Sequence, residues 1–313
     1  MDSSIRSLHH VTATVAGAQA DLDFYVGVLG QRLVKKTVNF DNTGVYHFYY
    51  GDERGTPGTI MTTFPYAGKG VRQGIKGVGQ ITVTSFSAPA AAMGYWRARL
   101  GEHGVPFTDD PTAFGDEAIT FDDPSGLGIR IVASAVDSRP PWTGAGIPAQ
   151  HAICGIHSVS LLVREPATTI ALVTELLDGA VIDETEGVTR MGIGGSAPGQ
   201  LLELLTARGE VQAINGLGTV HHVAFAAATD DSQLQVRAEL RRRGMHVTNV
   251  IDRQYFRSIY FREPNGVLFE VATLPPGFSV DEDVSQLGRA LKLAPWDEPH
   301  RTQIEAALPT VHY

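Results

Sequence analysis

The chain has 313 residues, 43% of them hydrophobic and 19% charged, and is long enough for two domains with separate cores. Its 25 basic and 34 acidic residues give a net charge of −9, which argues against a nucleic-acid partner because the phosphate backbone demands a basic surface. The single cysteine, Cys154, excludes an internal disulfide framework and fits a reducing compartment, so we expect a cytoplasmic protein. We find neither a run of about 18 apolar residues nor a signal peptide, and therefore expect no membrane span or membrane partner.

The first predicted strand contains Leu8-His9-His10-Val11-Thr12, and a helical pattern that ends at Gly30 follows it. Three later segments repeat this order of a short strand and a helix that ends at a glycine. The later strands begin near positions 78, 156 and 220, and their helices are predicted at positions 93–101, 170–179 and 232–244. A glycine at these ends is suited to cap the helix.

Each of the four repeats then closes with a turn and a β-rich run. The residue four positions after the turn glycine is Thr62, Arg130, Glu203 or Glu270 in turn. These closing residues follow the opening residues at nearly equal intervals, from 45 residues (158 to 203) to 52 residues (10 to 62); the openers are His10, Gln80, Ser158 and His222. The regular intervals predict four βαβββ modules and an α+β fold.

The repeats also predict the domain organisation. We expect an N-terminal pair of modules at 1–137, a linker at 138–150, a C-terminal pair at 151–273 and an acidic C-terminal tail at 274–313. The proline and glycine content of the linker is typical of a connection between structured units. The tail is predicted to be mostly helical.

Side chains alternate between the two faces of a strand, so only one histidine of each His-His pair can point to a given side. In the first strand, His10 shares its phase with Thr12, and this small or polar phase is predicted to line a concave interior. The same argument places His222 on the concave face of the fourth module. His9 and His221 are therefore expected to point away from the concavity.

Two histidines and a carboxylate are the ligand set that holds a redox metal on one face and leaves the other open. Pairing the first module with the fourth supplies His10, His222 and Glu270, and Thr62 in the remaining column leaves a position open. Glu270 lies in a strongly apolar strand, where an unpaired carboxylate would cost several kcal/mol. A cation beside it is the natural explanation.

The second and third modules offer a poorer ligand set in the same columns: Gln80, Ser158, Arg130 and Glu203. We hypothesise that Arg130 pairs with Glu203 instead of either residue binding a metal. His47 lies in a tyrosine-rich strand and is interpreted as a packing residue near the pocket.

Repeated βαβββ modules with ligands on their first and last strands resemble the vicinal oxygen chelate superfamily, which includes glyoxalases, bleomycin-resistance proteins and type I extradiol dioxygenases. Four strings of the sequence narrow this resemblance: Leu8-His9-His10-Val11-Thr12, Gly55-Thr56-Pro57-Gly58-Thr59-Ile60-Met61-Thr62-Thr63-Phe64-Pro65, Asp252-Arg253 and Asp281-Glu282-Asp283. With them, the chain resembles one group of the superfamily over nearly its whole length, the hydroquinone ring-cleaving dioxygenases. The resemblance implies two cupped mixed β-sheet barrels with outer helices.

The resemblance also implies a non-haem Fe(II) centre held by His10, His222 and Glu270, the three residues that the repeat columns select. Mn(II) is the alternative metal. Four further residues around the metal are implied to have catalytic roles, namely His9, Thr12, Arg253 and Tyr260. Arg257 is a rival to Arg253 for the arginine position.

The expected activity is a ring-cleaving dioxygenase that inserts both atoms of O₂ into a small hydroquinone-type aromatic substrate. Two alternatives stay open: a glyoxalase-like metal-dependent isomerase or lyase, and a non-catalytic small-molecule binding or resistance protein. The isomerase usually requires a second carboxylate as base, and Thr62 occupies that position here. In a binding protein the residues at the ligand positions are usually replaced, whereas the first and fourth modules keep good ligands at these positions here. Homo-oligomerisation is left open.

Overall fold

The structure, a computed structural model, describes residues 4–313 and contains the βαβββ unit four times. The first unit consists of β1 (Ile5–Val15), α1 (Ala18–Leu22), β2 (Arg32–Asn39), β3 (Asn42–Gly51) and β4 (Ile60–Pro65), and α1 continues as a π-helical segment (Asp23–Val28). The second unit consists of β5 (Gln80–Pro89), α2 (Met93–Glu102), β6 (Phe107–Asp109), β7 (Ala118–Asp122) and β8 (Gly128–Ser134).

The other two units repeat this order. The third consists of β9 (Gly155–Val163), α3 (Pro166–Leu176), β10 (Gly179–Thr185), β11 (Val188–Ile193) and β12 (Leu201–Thr206). The fourth consists of β13 (Thr219–Ala227), α4 (Asp230–Arg242), β14 (Ile251–Asp252), β15 (Arg257–Arg262) and β16 (Leu268–Thr273). The predicted α+β fold of four βαβββ modules is confirmed. The expectation that the chain has no signal peptide concerns its first residues, of which residues 1–3 lie outside the described residues.

The modules pair into two eight-stranded mixed sheets, as the resemblance implied. Sheet I joins the first and fourth modules in the order β14-β15-β16-β13-β1-β4-β3-β2, and sheet II joins the second and third in the order β10-β11-β12-β9-β5-β8-β7-β6. Each sheet therefore takes one module from each half of the sequence. The boundaries 1–137 and 151–273 divide the chain by sequence, and as domain boundaries they stay a prediction.

A β-bulge on each strand interrupts the antiparallel pair at the centre of each sheet. In sheet I, His10 pairs with Ala224 and Thr12 pairs with His222, and between Leu8 and Ala13 the residues left without a partner in the register are His9 and His221. Bulges of this kind bend a strand and re-aim its side chains, and they are common beside active sites.

Sheet II contains the same two bulges, and their positions show which residue of the second module corresponds to His10. Ser85 pairs with Ser158 and Val83 pairs with Ser160, so the bulged residues are Thr82 and His157. Val83 is therefore the counterpart of His10, and the assignment of Gln80 to that column is wrong by three positions. Gln80 instead donates a hydrogen bond from Nε2 to Oδ1 of Asn215 at 3.0 Å.

Two connections lock the sheets to each other. Residues 72–78, between β4 and β5, pair with residues 211–217, between β12 and β13, through backbone hydrogen bonds of 2.8 to 3.0 Å. Arg139, in the connection between the two halves of the sequence, donates one hydrogen bond to the Gly58 carbonyl and one to the Ile156 carbonyl, each at 2.8 Å. The relative position of the four modules is therefore fixed by backbone contacts as well as by side-chain packing.

The C-terminal tail is anchored on sheet I by a buried cation. Lys35 of β2 is 0% exposed, and its Nζ lies 2.6 Å from Oδ1 of Asp281 and also contacts Glu282. Only short segments of the tail are helical, the longest being α5 (Arg301–Ala307), so the expectation of a mostly helical tail is wrong. Prolines and glycines at positions 275–277, 288 and 295 interrupt helix formation. No helix among residues 4–313 is long and apolar enough to cross a membrane.

Replacing Lys35 with methionine tests this anchor. The substitution leaves Asp281 and Glu282 without their cation, and we expect it to lower the free energy of unfolding by about 3 kcal/mol in urea titrations. The matched control is Lys76→Met, because Lys76 pairs with Asp122 at an exposed site and should contribute less than about 1 kcal/mol. Equal losses in the two variants would contradict the anchoring role of Lys35.

Candidate metal centre

Three buried side chains from the central strands of sheet I converge on one point. The Nε2 atoms of His10 and His222 are 3.2 Å apart, and Oε2 of Glu270 lies 3.4 Å from the first and 2.9 Å from the second. Their residues are 2%, 4% and 0% exposed. These separations match the distance of about 3 Å between adjacent ligands at right angles around one ion with bonds of about 2.1 Å.

The two oxygens of Glu270 have different surroundings. Oε1 accepts a hydrogen bond from Oγ of Ser258 at 2.5 Å, whereas Oε2 has no hydrogen-bond partner among the described residues. Burial works to raise the pKa of Glu270, but the neighbouring His10 and His222 outweigh it and hold that pKa well below its usual range. An ionised, buried oxygen that faces two imidazole nitrogens is an arrangement that a divalent cation would satisfy.

The bulged histidines turn towards the ligand histidines. Nδ1 of His9 lies 2.9 Å from Nδ1 of His10, and Nδ1 of His221 lies 2.8 Å from Nδ1 of His222. Burial, with added repulsion from the neighbouring ligand histidine, lowers the pKa of His9 and of His221 to about 3, so both rings are neutral. A ligand histidine that offers its Nε2 lone pair to a cation carries its proton on Nδ1, where the neutral neighbouring ring would accept it.

The sequence-based expectation that His9 and His221 point away from the concavity is therefore wrong, because both rings turn towards the ligand histidines. Strict alternation of side chains holds only along an unbroken strand, and each of these residues is the extra residue of a bulge. His221 lines the cavity beside the cluster, and His9 lies beneath His10 with its ring against Phe256, at a centroid distance of 4.9 Å.

A cavity of about 220 Å³ opens above the cluster. Its floor is formed by the two ligand histidines, and its walls combine aromatic rings with hydrogen-bonding groups. The other lining residues are Thr12, Thr14, Asn39, Phe40, Asp41, His47, Tyr49, Phe64, Tyr66, His221, Arg253, Phe256 and Tyr260.

Three of the four residues that the resemblance marked as catalytic line this cavity. Arg253 donates a hydrogen bond from Nε to the Tyr260 hydroxyl at 3.2 Å, and its guanidinium pairs with Asp41 at 3.1 Å. Burial, and then the charge of Glu270, raises the pKa of Tyr260, so this phenol keeps its proton. Thr12 accepts a hydrogen bond from Thr62 at 2.8 Å.

The rival arginine does not reach the cavity. Arg257 is exposed and pairs with Asp230 at the start of α4. A tight turn separates the two arginines: Gln254 has a φ of +64°, and its amide donates to Oδ1 of Asp252 at 2.7 Å. This turn directs Arg253 inward, although the catalytic role of each residue in this group stays a prediction.

Sequence reasoning missed Ser258, which holds one oxygen of Glu270. Ser258 lies opposite Ala272 in the β15–β16 hairpin, and its Oγ reaches diagonally to Glu270. Alternation alone places Ser258 on the same face as Tyr260, but the sequence does not reveal the register that brings it to the carboxylate.

In sheet II, the corresponding columns contain no set of metal ligands. Glu203 pairs with Arg190 at 2.8 Å and accepts a hydrogen bond from Ser160 at 2.9 Å, while Arg130 pairs with Asp110 at 3.1 Å. The hypothesis that Arg130 pairs with Glu203 is therefore wrong. Arg190 lies directly opposite Glu203 in the β11–β12 hairpin and reaches it first.

Two sheets of paired βαβββ modules, with a His, His, Glu set on the inner strands of one of them, define the class of metal-dependent vicinal oxygen chelate proteins. The sequence profile of the Glyoxalase/Bleomycin resistance protein/Dioxygenase superfamily matches residues 7–131 and 155–271. The chain belongs to this superfamily.

Relatives that match nearly the whole chain show which group of the superfamily it resembles most. The chain is 43% identical over 309 residues to MhqO of Bacillus subtilis, which is named as a ring-cleaving dioxygenase, with 98% of this chain and 97% of the relative covered. It is 33% identical over 299 residues to the chlorohydroquinone/hydroquinone 1,2-dioxygenase of Sphingobium indicum, with 93% and 92% covered. These relatives confirm the resemblance and the enzyme class predicted from the sequence, a ring-cleaving dioxygenase.

Solved structures agree with this placement. A crystal structure of a Bacillus subtilis protein described as a dioxygenase superimposes with a TM-score of 0.93 at 41% identity, covering 99% of this chain and 98% of that one. Glyoxalase I from Zea mays superimposes with a TM-score of 0.64 at 15% identity, covering 87% and 93%, which shows a shared fold only.

Replacing Ser258 with alanine tests how the carboxylate is held. Glu270 then loses the hydrogen bond that orients Oε1, and we expect the affinity for a divalent metal to fall by about 10- to 100-fold. Metal affinity is measured by competition with a chelator. The matched control is Ser85→Ala, because Ser85 is fully buried in sheet II and its hydroxyl has no partner. An unchanged affinity in Ser258→Ala would contradict the role assigned to this serine.

Proposed function

We propose that this chain is a non-haem Fe(II)-dependent ring-cleaving dioxygenase that acts on a hydroquinone-type aromatic ring and inserts both atoms of O₂. The observation that carries the proposal is the buried cluster of His10, His222 and Glu270, whose two histidines form the floor of a cavity lined with aromatic rings. The substrates in the names of the relatives support the choice of ring. The expected cytoplasmic location is part of the same proposal.

The size of the cavity favours one substituted ring. An apolar cavity of about 150 Å³ holds a benzene molecule, so about 220 Å³ accommodates a single ring with small substituents. Phe256 lies 5.2 Å from the His10 ring, and Phe64 lies 6.2 Å from the His221 ring, both between ring centroids. These aromatic walls would hold a flat ring by stacking and edge contacts.

His10, His222 and Glu270 would hold the metal, and two neutral imidazoles with one carboxylate give the site a low net charge. A bound Fe(II) with open positions supplies the redox chemistry that joins O₂ to an electron-rich ring. Neutral His9 and His221 orient the ligand histidines by accepting their Nδ1 protons.

Arg253 and Tyr260 are placed to stabilise charge on the substrate and to transfer a proton to it. The Arg253 guanidinium is placed to stabilise negative charge that develops on the substrate, and the contact of Arg253 with the Tyr260 hydroxyl leaves the Tyr260 proton free to be donated into the cavity. Asp41, which pairs with Arg253, is 74% exposed, so it fixes the arginine from the solvent side without neutralising the cavity.

The two alternative functions fit less well. An isomerase of the glyoxalase kind would need a carboxylate in the position of Thr62, whose hydroxyl is instead engaged with Thr12 and His47 at 2.8 Å each. A binding protein without catalytic function has no need of three converging ligands, and the columns of sheet II show how far such residues diverge when they are unused.

The proposal is tested on protein purified and loaded with iron under anaerobic conditions. We expect one Fe(II) per chain, O₂ uptake on addition of a hydroquinone, and both atoms of ¹⁸O₂ in the ring-opened product. Mn(II) loaded in parallel shows which of the two metals supports turnover.

Glu270→Gln should reduce both iron content and O₂ uptake by at least about 100-fold, because the carboxylate is the only anionic ligand. Glu203→Gln, at the equivalent position of sheet II, is the matched control and should retain activity per folded chain. Full turnover in Glu270→Gln, or conversion of a hemithioacetal by the nickel or zinc form, would overturn the proposal.

A further inference from the structure

His47 is a buried cavity residue that the proposed metal centre and the predicted catalytic group leave unused. It lies on β3, and its ring packs between Tyr49 at 4.0 Å and Phe64 at 4.3 Å, measured between centroids. The order β13-β1-β4-β3 in sheet I puts β3 two strands away from β1, which is about 10 Å between backbones. His47 and the ligand cluster therefore lie in different parts of the same cavity.

A short chain of hydrogen bonds sets the protonation of the His47 ring. Oγ1 of Thr62 donates to Oγ1 of Thr12 at 2.8 Å, so its remaining interaction, with Nε2 of His47 at 2.8 Å, is one in which Thr62 accepts. Burial, and then His10 and His222, lowers the pKa of His47 well below its usual value, so the ring is neutral. A neutral imidazole that carries its proton on Nε2 presents a lone pair on Nδ1.

This Nδ1 has no hydrogen-bond partner among the described residues, and it is not one of the polar atoms sealed from solvent without a partner. Since His47 lines the cavity, the lone pair is open to a ligand there. The interpretation of His47 as a packing residue near the pocket is confirmed, and one of its ring nitrogens remains open to a ligand.

We propose that His47 accepts a hydrogen bond from the substrate hydroxyl that lies away from the metal centre, and that it thereby selects rings with two hydroxyls in para positions. The two oxygens of such a ring point in opposite directions, so one can reach the His10, His222 and Glu270 cluster while the other reaches across the cavity. Both hydroxyls of an ortho-dihydroxylated ring point to the cluster, and a monohydroxylated ring has none to offer. This inference rests on the function proposed above.

Tyr66 is the rival for this role, because it also lines the cavity on the side of β3 and β4. Its hydroxyl already accepts a hydrogen bond from Nδ2 of Asn39 at 2.9 Å. His47 is the better acceptor, since Nδ1 is unpartnered and the ring is held by two aromatic neighbours and by Thr62. Tyr66→Phe is accordingly a matched control that removes one polar atom from the same wall.

The test measures equilibrium binding of hydroquinone, catechol and phenol to the Fe(II)-loaded protein by calorimetry in the absence of O₂. We expect the native protein to bind hydroquinone about tenfold more tightly than phenol, the gain that one hydrogen bond provides. Catechol, whose two hydroxyls both point to the cluster, should bind equally well to the native protein and to the His47 variants. In His47→Phe, which keeps the aromatic packing, this preference should disappear while the affinity for phenol and the iron content stay unchanged. His47→Gln, which retains a polar side chain, should fall between the two, and Tyr66→Phe should keep the preference for hydroquinone over phenol.

The outcomes separate this inference from the proposed function. If the native protein oxidises hydroquinone but His47→Phe keeps the full preference, or Tyr66→Phe loses it, His47 does not read the second hydroxyl. A native protein without any preference for hydroquinone over phenol would overturn the inference in the same way. If the native iron form neither binds nor oxidises a dihydroxylated ring, the proposed function fails and the inference fails with it.

Discussion

The antiparallel pairing of β1 with β13, with one bulge on each strand, is the constraint on which the site depends. The pairing brings together residues more than two hundred positions apart, and the bulges turn both members of each His-His pair towards the interior. One histidine of each pair then presents Nε2 to the cluster while the other contacts its Nδ1. Straight strands would place only one histidine of each pair inside and leave the ligand nitrogens without these partners.

The two sheets show what this scaffold allows when the side chains differ. Sheet II keeps both bulges and the same register, but Val83 and Ser158 occupy the positions of His10 and His222. Arg190 there supplies the positive charge beside Glu203. A buried carboxylate needs a positive charge beside it. In sheet II that charge comes from an arginine of the protein, whereas in sheet I the carboxylate and the two histidines are arranged to bind a cation. The fold is common to both sheets, and the chemistry belongs to the side chains of one.

The sequence predicts the modules well because turn glycines and helix ends are local signals. It predicts His10, His222 and Glu270 because three positions in repeating columns carry good ligands. It fails where the pairing register between strands determines which side chains meet. The spacing alone aligns Gln80 with His10 where the register aligns Val83, the bulges turn His9 and His221 inward against simple alternation, and a hairpin brings Arg190 to Glu203 ahead of Arg130. The contacts of Ser258 and His47 depend on pairing between neighbouring strands, which the spacing of residues along the chain does not encode.

The most direct test of this account is a crystal structure of the metal-loaded protein, with anomalous diffraction data collected at the absorption edge of the metal. The account predicts one strong peak per chain, at bonding distance from Nε2 of His10, Nε2 of His222 and Oε2 of Glu270, with His9 and His221 still contacting the Nδ1 atoms. A peak in sheet II beside Glu203, or a metal bound without Glu270, would contradict it.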